Sequence, residues 1–106
     1  MENFFKEYDL LLCPTVSVPP FPKDQRYVDV IAGQPTQTYI DWIAITFAIT
    51  MTSCPALSLP VGFTESGLPV GLQVIGRPRG EAALLRACHR MEEVLGLAGQ
   101  VPIDPR

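Results

Sequence analysis

The stretch PALSLPVGF at residues 55–63, followed by the turn residues TESG at 64–67 and then by GLPVGLQVIG at 67–76, decides how this chain is read. Ala56 to Phe63 is apolar enough for a buried strand. Thr64, Glu65, Ser66 and Gly67 are turn formers, and Val70 to Ile75 is again apolar and rich in β-branched residues. Two such runs joined by a short polar turn predict a hairpin. Gly62, Gly67, Gly71 and Gly76 suit turns and close strand packing.

Downstream, Leu84, Cys88, Met91 and Leu95 recur at helical spacing with Leu85 and Ala87 beside them, which predicts an amphipathic helix over 81–95 covering the sheet. Glu81 in the first turn and Gly96 after the last fit its two ends. Residues 97–106 are expected to be a tail. Upstream, Leu10, Leu11, Leu12 and Cys13 form an apolar run stopped by Pro14, which predicts a strand over 8–14 buried on both faces. Residues 15–38, with Pro19, Pro20, Pro22, Gly33 and Pro35, are expected to be a long irregular loop of the kind that often carries function. Asp41 at the head of an apolar segment favours a helix over 39–51, against the β-branched residues within it. The fold class predicted is α/β, with about three strands, a cover helix and a proline-rich loop.

Composition narrows the function. Of the residues, 47% are hydrophobic and 18% charged, which fits a packed chain rather than a disordered one. The net charge is -3 with lysines and arginines scattered singly, so no nucleic-acid partner is expected. The N-terminus lacks the basic start and apolar core of a signal peptide, and a cytoplasmic location is expected. From Trp42 to Thr64 no side chain is charged, but Pro55, Pro60 and several Ser and Thr residues argue against a membrane span. The three cysteines, Cys13, Cys54 and Cys88, are far apart and without metal or redox spacing, so they are read as buried free thiols. No metal or cofactor is expected.

Catalytic constellations are missing as well. His89, the single histidine, falls among charged residues of the predicted helix and is read as solvated. No nucleophile elbow, phosphate loop or dinucleotide fingerprint occurs. Lys6 and Lys23 lie far from any Gly-Ser cluster, and a lysine acts as a base only when it is neutral and buried beside the serine it activates. No residue of the chain is assigned a catalytic role.

The order of elements resembles the C-terminal block of the amidase-signature family. There a PA-x-S-x-P-x-G-F strand leads through a short turn to GLPVGLQ-x-x-G, as residues 55–76 do. Residues 8–15, YDLLLCPT, resemble the family's D-x-x-x-x-P-T strand, and residues 81–92 its last helix. The resemblance spans residues 8 to 96 and implies the C-terminal portion of a mixed-sheet fold. It also implies an activity: hydrolysis of carboxylic amides through a Ser-Ser-Lys triad set in a Gly/Ser-rich stretch that these residues do not contain. The partners it implies are the N-terminal part of such a domain and a small-molecule amide. Matched by position, the substrate-pocket residues implied are Trp42, Thr46, Ile49, Thr50 and Arg79, although Trp42 and Ile49 equally suit a core. Asn is frequent in the family where Thr50 stands, and Gly where Ser53 stands. Within the family a tRNA-dependent amidotransferase is the second reading, the Asp41-Trp42 and SCPA segments looking more like general amidases. Outside it stands a free-standing α/β binding module, monomeric or homodimeric, which would not leave the unpaired strand edges that the amidase reading predicts.

Overall fold

The computed structural model describes residues 1–97, 99 and 100. Most of the predicted tail, residue 98 and residues 101–106, lies outside the described residues. The chain opens with a one-turn helix, α1 (Phe4–Glu7), and a first strand, β1 (Leu11–Pro14). A small ribbon follows, β2 (Val30–Ile31) and β3 (Gln34–Pro35), and then a 3₁₀ turn, Asp41–Ile43, that runs into α2 (Ala44–Thr50). The hairpin strands β4 (Ala56–Phe63) and β5 (Pro69–Ile75) and the long helix α3 (Glu81–Leu95) complete it.

β5 is the centre of a three-stranded sheet in the order β1-β5-β4, antiparallel on both sides. Val74 stands opposite Leu12 on one flank and Leu57 on the other, and Gln73 stands opposite Cys13 and Ser58. The β4–β5 turn is closed by Thr64, whose carbonyl accepts from the Gly67 N–H at 2.9 Å and whose hydroxyl accepts from the Leu68 N–H at 3.0 Å. Gly67 takes a φ of 81°, a left-handed conformation that glycine adopts without steric cost.

Side chains alternate across a strand, so each sheet face collects every second residue. One face presents Leu57, Leu59, Leu72 and Val74 to α3, whose Leu84 and Cys88 close the core with Met91 alongside. Helix and sheet approach closely at Gly76, where a Cβ would stand 3.2 Å from the Leu84 Cβ. Gly96, at φ 65°, stops α3 and donates its N–H to the Glu92 carbonyl at 2.9 Å, the glycine termination visible in the sequence.

Three features differ from the sequence reading. β1 is an outer strand whose residues alternate between half-buried and exposed, with Leu12 at 47% exposure, rather than a strand buried on both faces. The reason is position: α3 packs over β4 and β5 and leaves β1 uncovered. The proline-rich segment is not wholly irregular, because Ala32 and Gly33, both at positive φ (48° and 78°), make the two-residue turn between β2 and β3. Residues 4–7 form a helical turn with Phe5 buried, which no periodicity over so short a span announces.

Candidate functional site

Beyond Pro14 the chain leaves the sheet and runs along its end, and Trp42 folds back against it. An open cleft of about 730 Å³ forms between them. Its floor is the sheet end at Ser58, Pro60 and Pro69 to Gly71. Its walls are the segment from Thr15 to Phe21 and the indole of Trp42. The lining is largely apolar, and among the described residues no charged side chain contributes to it. A concave, mostly apolar space with a few convergent polar groups is the usual form of a small-molecule site.

Those polar groups come from two different strands. The Thr15 and Ser58 hydroxyls lie 3.1 Å apart and hydrogen-bond across β5. They meet because the residue beneath them is Gly71: a Cβ there would stand 2.7 Å from Ser58 Oγ and 2.8 Å from Thr15 Oγ1. The Thr15 N–H donates to the Gly71 carbonyl at 3.3 Å, carrying the ladder one residue past β1.

Two aromatic rings hold the Trp42 wall. Phe21 meets the indole edge to face at 5.4 Å between ring centres, and Tyr39 does so at 5.9 Å. The Ser17 N–H donates to the Trp42 carbonyl at 3.4 Å. The preceding turn is fixed by Asp41, whose carboxylate accepts from the Gln37 N–H at 2.6 Å and from the Thr38 N–H and hydroxyl at 3.0 Å each. The Thr38 N–H first, then the Gln37 N–H and the Thr38 hydroxyl, hold the Asp41 carboxyl below its ordinary pKa. The Trp42 indole N–H is buried and has no acceptor among the described residues.

The five residues implied by resemblance fall in different places. Trp42 lines the cleft. Thr46 stands behind it, its hydroxyl donating to the Thr15 carbonyl at 2.6 Å, so that α2 fixes the strand end bearing the Thr15 hydroxyl. Thr50 donates back to the Thr46 carbonyl at 3.1 Å, and Ile49 is half-buried on the same helix. Arg79 is apart from them. It is exposed at a φ of 60° in the turn before α3, past Ile75, whereas the cleft uses the opposite end of β5. Sequence reading missed Thr15, Ser58 and Gly71 as a unit.

Other candidate groups stand outside the cleft. His89 is exposed on α3 within 3.6 Å of the Glu93 carboxylate. The Cys13 thiol lies 3.4 Å from Gln73 Oε1 on the sheet, and burial raises the pKa of both Cys13 and Cys88. Among the described residues no three His, Cys, Asp or Glu side chains converge as metal ligands, and no helix is long and apolar enough to cross a membrane.

The chain resembles known proteins in sequence and in fold. The sequence model of the family described as Amidase matches residues 1–85. The chain is 45% identical over 92 residues to a glutamyl-tRNA(Gln) amidotransferase subunit from Moorella thermoacetica, covering 87% of this chain and 18% of that protein. It is 35% identical over 103 residues to an acylamidase of Rhodococcus erythropolis, covering 96% of this chain and 21% of that one. Its fold is similar to that of 6-aminohexanoate cyclic dimer hydrolase, solved in complex with substrate, with a TM-score of 0.73 and 25% identity over 89% of this chain and 21% of the other. The chain thus spans about a fifth of the length of the relatives it matches.

Proposed function

The chain belongs to the amidase family, and on that premise we propose that it is the C-terminal part of an enzyme hydrolysing carboxylic amides, in which it supplies sheet strands and one wall of the substrate pocket. The observation that carries this is the cleft itself: a mostly apolar space, lined by no charged side chain among the described residues and walled by Trp42, on a chain matching the family over residues 1–85. The reaction would be acyl transfer from the amide to a serine outside these residues, releasing amine or ammonia, followed by hydrolysis of the acyl-enzyme. Trp42, with Thr46 and Thr50 behind it and Ile49 on the same helix, would shape the pocket. Arg79, at the opposite end of β5, stands outside the pocket so formed.

The remaining four-fifths of an amidase domain is the partner this reading requires. Apolar side chains left open on the outer parts of the chain favour it: Leu12, Phe63 and Val70 on the sheet and Phe47 on α2 are each at least 40% exposed. The outer edges of β1 and β4 are also without a neighbouring strand among the described residues.

The test is to join residues 1–106 to the upstream four-fifths of the Rhodococcus acylamidase in place of its own corresponding segment, and to assay hydrolysis of simple aryl and alkyl amides. The hybrid is expected to turn over amide and the 106 residues alone to be inert. Turnover by the 106 residues alone would sink the claim that the catalytic groups lie elsewhere, and a folded but inert hybrid would sink the amidase reading. One observation favours a second reading, the 45% identity to a protein named as a glutamyl-tRNA(Gln) amidotransferase subunit. A hybrid built on that relative that amidates mischarged tRNA, with no activity on simple amides in the first hybrid, would select it.

A further inference from the structure

β4 lies at an edge of the sheet, and the ladder fixes which of its backbone groups are free. The Gly76 N–H donates to the Pro55 carbonyl at 2.9 Å. In an antiparallel ladder bonded pairs alternate with unbonded ones, so with Ala56 opposite Ile75 the residues that bond to β5 are Pro55, Leu57 and Leu59. Ala56 and Ser58, both exposed, therefore turn their N–H and C=O groups outward, where no strand pairs with them among the described residues. Pro60 has no N–H, and the register shifts between it and Gly62, so the free edge is a short one, from Ala56 to Pro60.

We infer that this edge takes a short strand from the upstream part of the amidase, laid beneath α3. Only the source of that strand rests on the amidase reading. The helix favours β4 over β1, which α3 leaves uncovered, and α3 packs more closely over β4 than over β5. A helix is about 10–12 Å wide with its side chains, and strands lie about 4.8 Å apart, so α3 overhangs the β4 edge by about one strand's width. A groove of about 340 Å³ runs there, with Leu57, Leu59, Leu85 and Cys88 as its apolar lining and His89 and Glu92 among its polar groups. Leu85 is 57% exposed although it lines that groove. A strand paired to Ala56 and Ser58 would set a side chain beside Leu57 or Leu59, on the sheet face that looks at α3. The residue that fits is apolar, because it would cover Leu85 and take the groove from water. The relatives are about five times as long as this chain, so the strand has a source outside these residues.

Residue-resolved hydrogen exchange is measured on the 106-residue chain and on the hybrid carrying the upstream four-fifths of the Rhodococcus acylamidase. In the chain alone the Leu57 and Leu59 N–H groups are expected to exchange slowly and those of Ala56 and Ser58 fast. In the hybrid, Ala56 and Ser58 are expected to slow by about a hundredfold or more, since amides bonded within a sheet exchange only when it opens. Ala56→Pro removes one outward donor at the first residue of β4, where proline spares the bonds to β5. It is expected to leave the urea midpoint of the chain alone almost unchanged and to speed Ser58 exchange in the hybrid about tenfold or more. Ser58 left protected in that variant would mean that burial, not pairing, slows it, and overturns the pairing. Fast exchange of Ala56 and Ser58 in both proteins overturns the inference, as does a hybrid that fails to unfold cooperatively, because the upstream part then has no seat here. Slow, concentration-dependent exchange of both in the chain alone gives the edge to a second copy and overturns it too. Hydrolysis separates the two readings. An active hybrid with a fast-exchanging edge keeps the amidase reading and sinks this one, and an inert hybrid with a protected edge does the reverse.

Discussion

Gly71→Ala is expected to destabilise the chain where the two hydroxyls are present and to stabilise it where they are absent. Gly71 is not at positive φ, so an alanine there meets a packing conflict rather than a conformational one. Its Cβ would lie 2.7 Å from Ser58 Oγ and 2.8 Å from Thr15 Oγ1, where ordinary contact begins at 3.4 Å. Overpacking of this kind costs about 1–3 kcal/mol. Against it stands a gain of about 0.4–1 kcal/mol, because alanine leaves the unfolded chain less freedom than glycine. The net expectation is a loss of about 1–2 kcal/mol, with rupture of the Thr15–Ser58 bond as the means of relief. With Thr15→Ala and Ser58→Ala already in place, both offending oxygens are gone. The third atom near the new Cβ, Thr15 Cβ, is at an ordinary 3.5 Å. There the unfolded-chain gain is unopposed, and Gly71→Ala should stabilise by about 0.4–1 kcal/mol. Urea unfolding of the four proteins, followed by Trp42 fluorescence and by far-UV circular dichroism, measures both differences. Equal effects of Gly71→Ala in the two backgrounds, within about 0.5 kcal/mol, would refute the view that the glycine is there to seat the hydroxyl pair.

Three further outcomes follow from residues already placed. Leu84→Ala should cost about 2–5 kcal/mol, since Leu84 is 3% exposed at the centre of the core, whereas Leu85→Ala should cost about 0.5 kcal/mol or less, its side chain being 57% exposed; similar losses at the two positions in urea unfolding would contradict the facing of α3. Asp41 is held below its ordinary pKa of 3.8 by the N–H groups of Thr38 and Gln37, so its contribution to stability is present above that value and lost as pH falls through the lower, folded one. A carboxyl carbon titration followed by NMR should give a midpoint below 3.8, and a midpoint at or above it would mean the turn before Trp42 is not capped as described. Cys88, 4% exposed and with its thiol pKa raised by burial, should react with iodoacetamide only as fast as the chain unfolds; mass spectrometry showing its prompt modification in the folded protein would place it outside the core.

The parts of the fold that were legible share a property: each is fixed by its own sequence. α3 is written in the spacing of Leu84, Cys88, Met91 and Leu95 and closed by Gly96, and the β4–β5 hairpin in two apolar runs about a turn of Thr, Glu, Ser and Gly. What was not legible depends on neighbours. Whether Leu12 is buried is decided by where α3 ends over the sheet, and Leu12 itself says nothing about that. The β2–β3 turn rests on Ala32 and Gly33, a pair without the Asn-Gly or Asp-Gly signal that marks such turns. α2 lies between the two cases: Asp41 at its head favours the helix found over Asp41–Thr50, while its Ile and Thr residues suit a strand as well. Its helical form is secured by contacts such as that of the Thr46 hydroxyl with the Thr15 carbonyl.

The candidate site divides along the same line. Trp42 was reachable from the sequence because resemblance supplies a position without knowledge of its surroundings. The Thr15–Ser58 pair was not, because its two members are 43 residues apart and meet only through the register of both outer strands on β5. A shift of either register by one residue would turn its hydroxyl to the opposite sheet face, among Leu59 and Val74. The pair is therefore a sensitive reporter of the register that the buried apolar face enforces. Leu57 opposite Val74 and Leu59 opposite Leu72 lock β4 in place under α3, and that locking is what carries Ser58 to the cleft side, toward Thr15. Weakening the core on one face of the sheet should accordingly loosen the polar pair on the other. Leu59→Ala, with Leu59 4% exposed, ought to speed hydrogen exchange of the Thr15 N–H, which donates to the Gly71 carbonyl at 3.3 Å, even though no atom of Leu59 lines the cleft. Exchange at Thr15 left unchanged in a folded Leu59→Ala protein would show that the cleft end of the sheet is held independently of the core under α3.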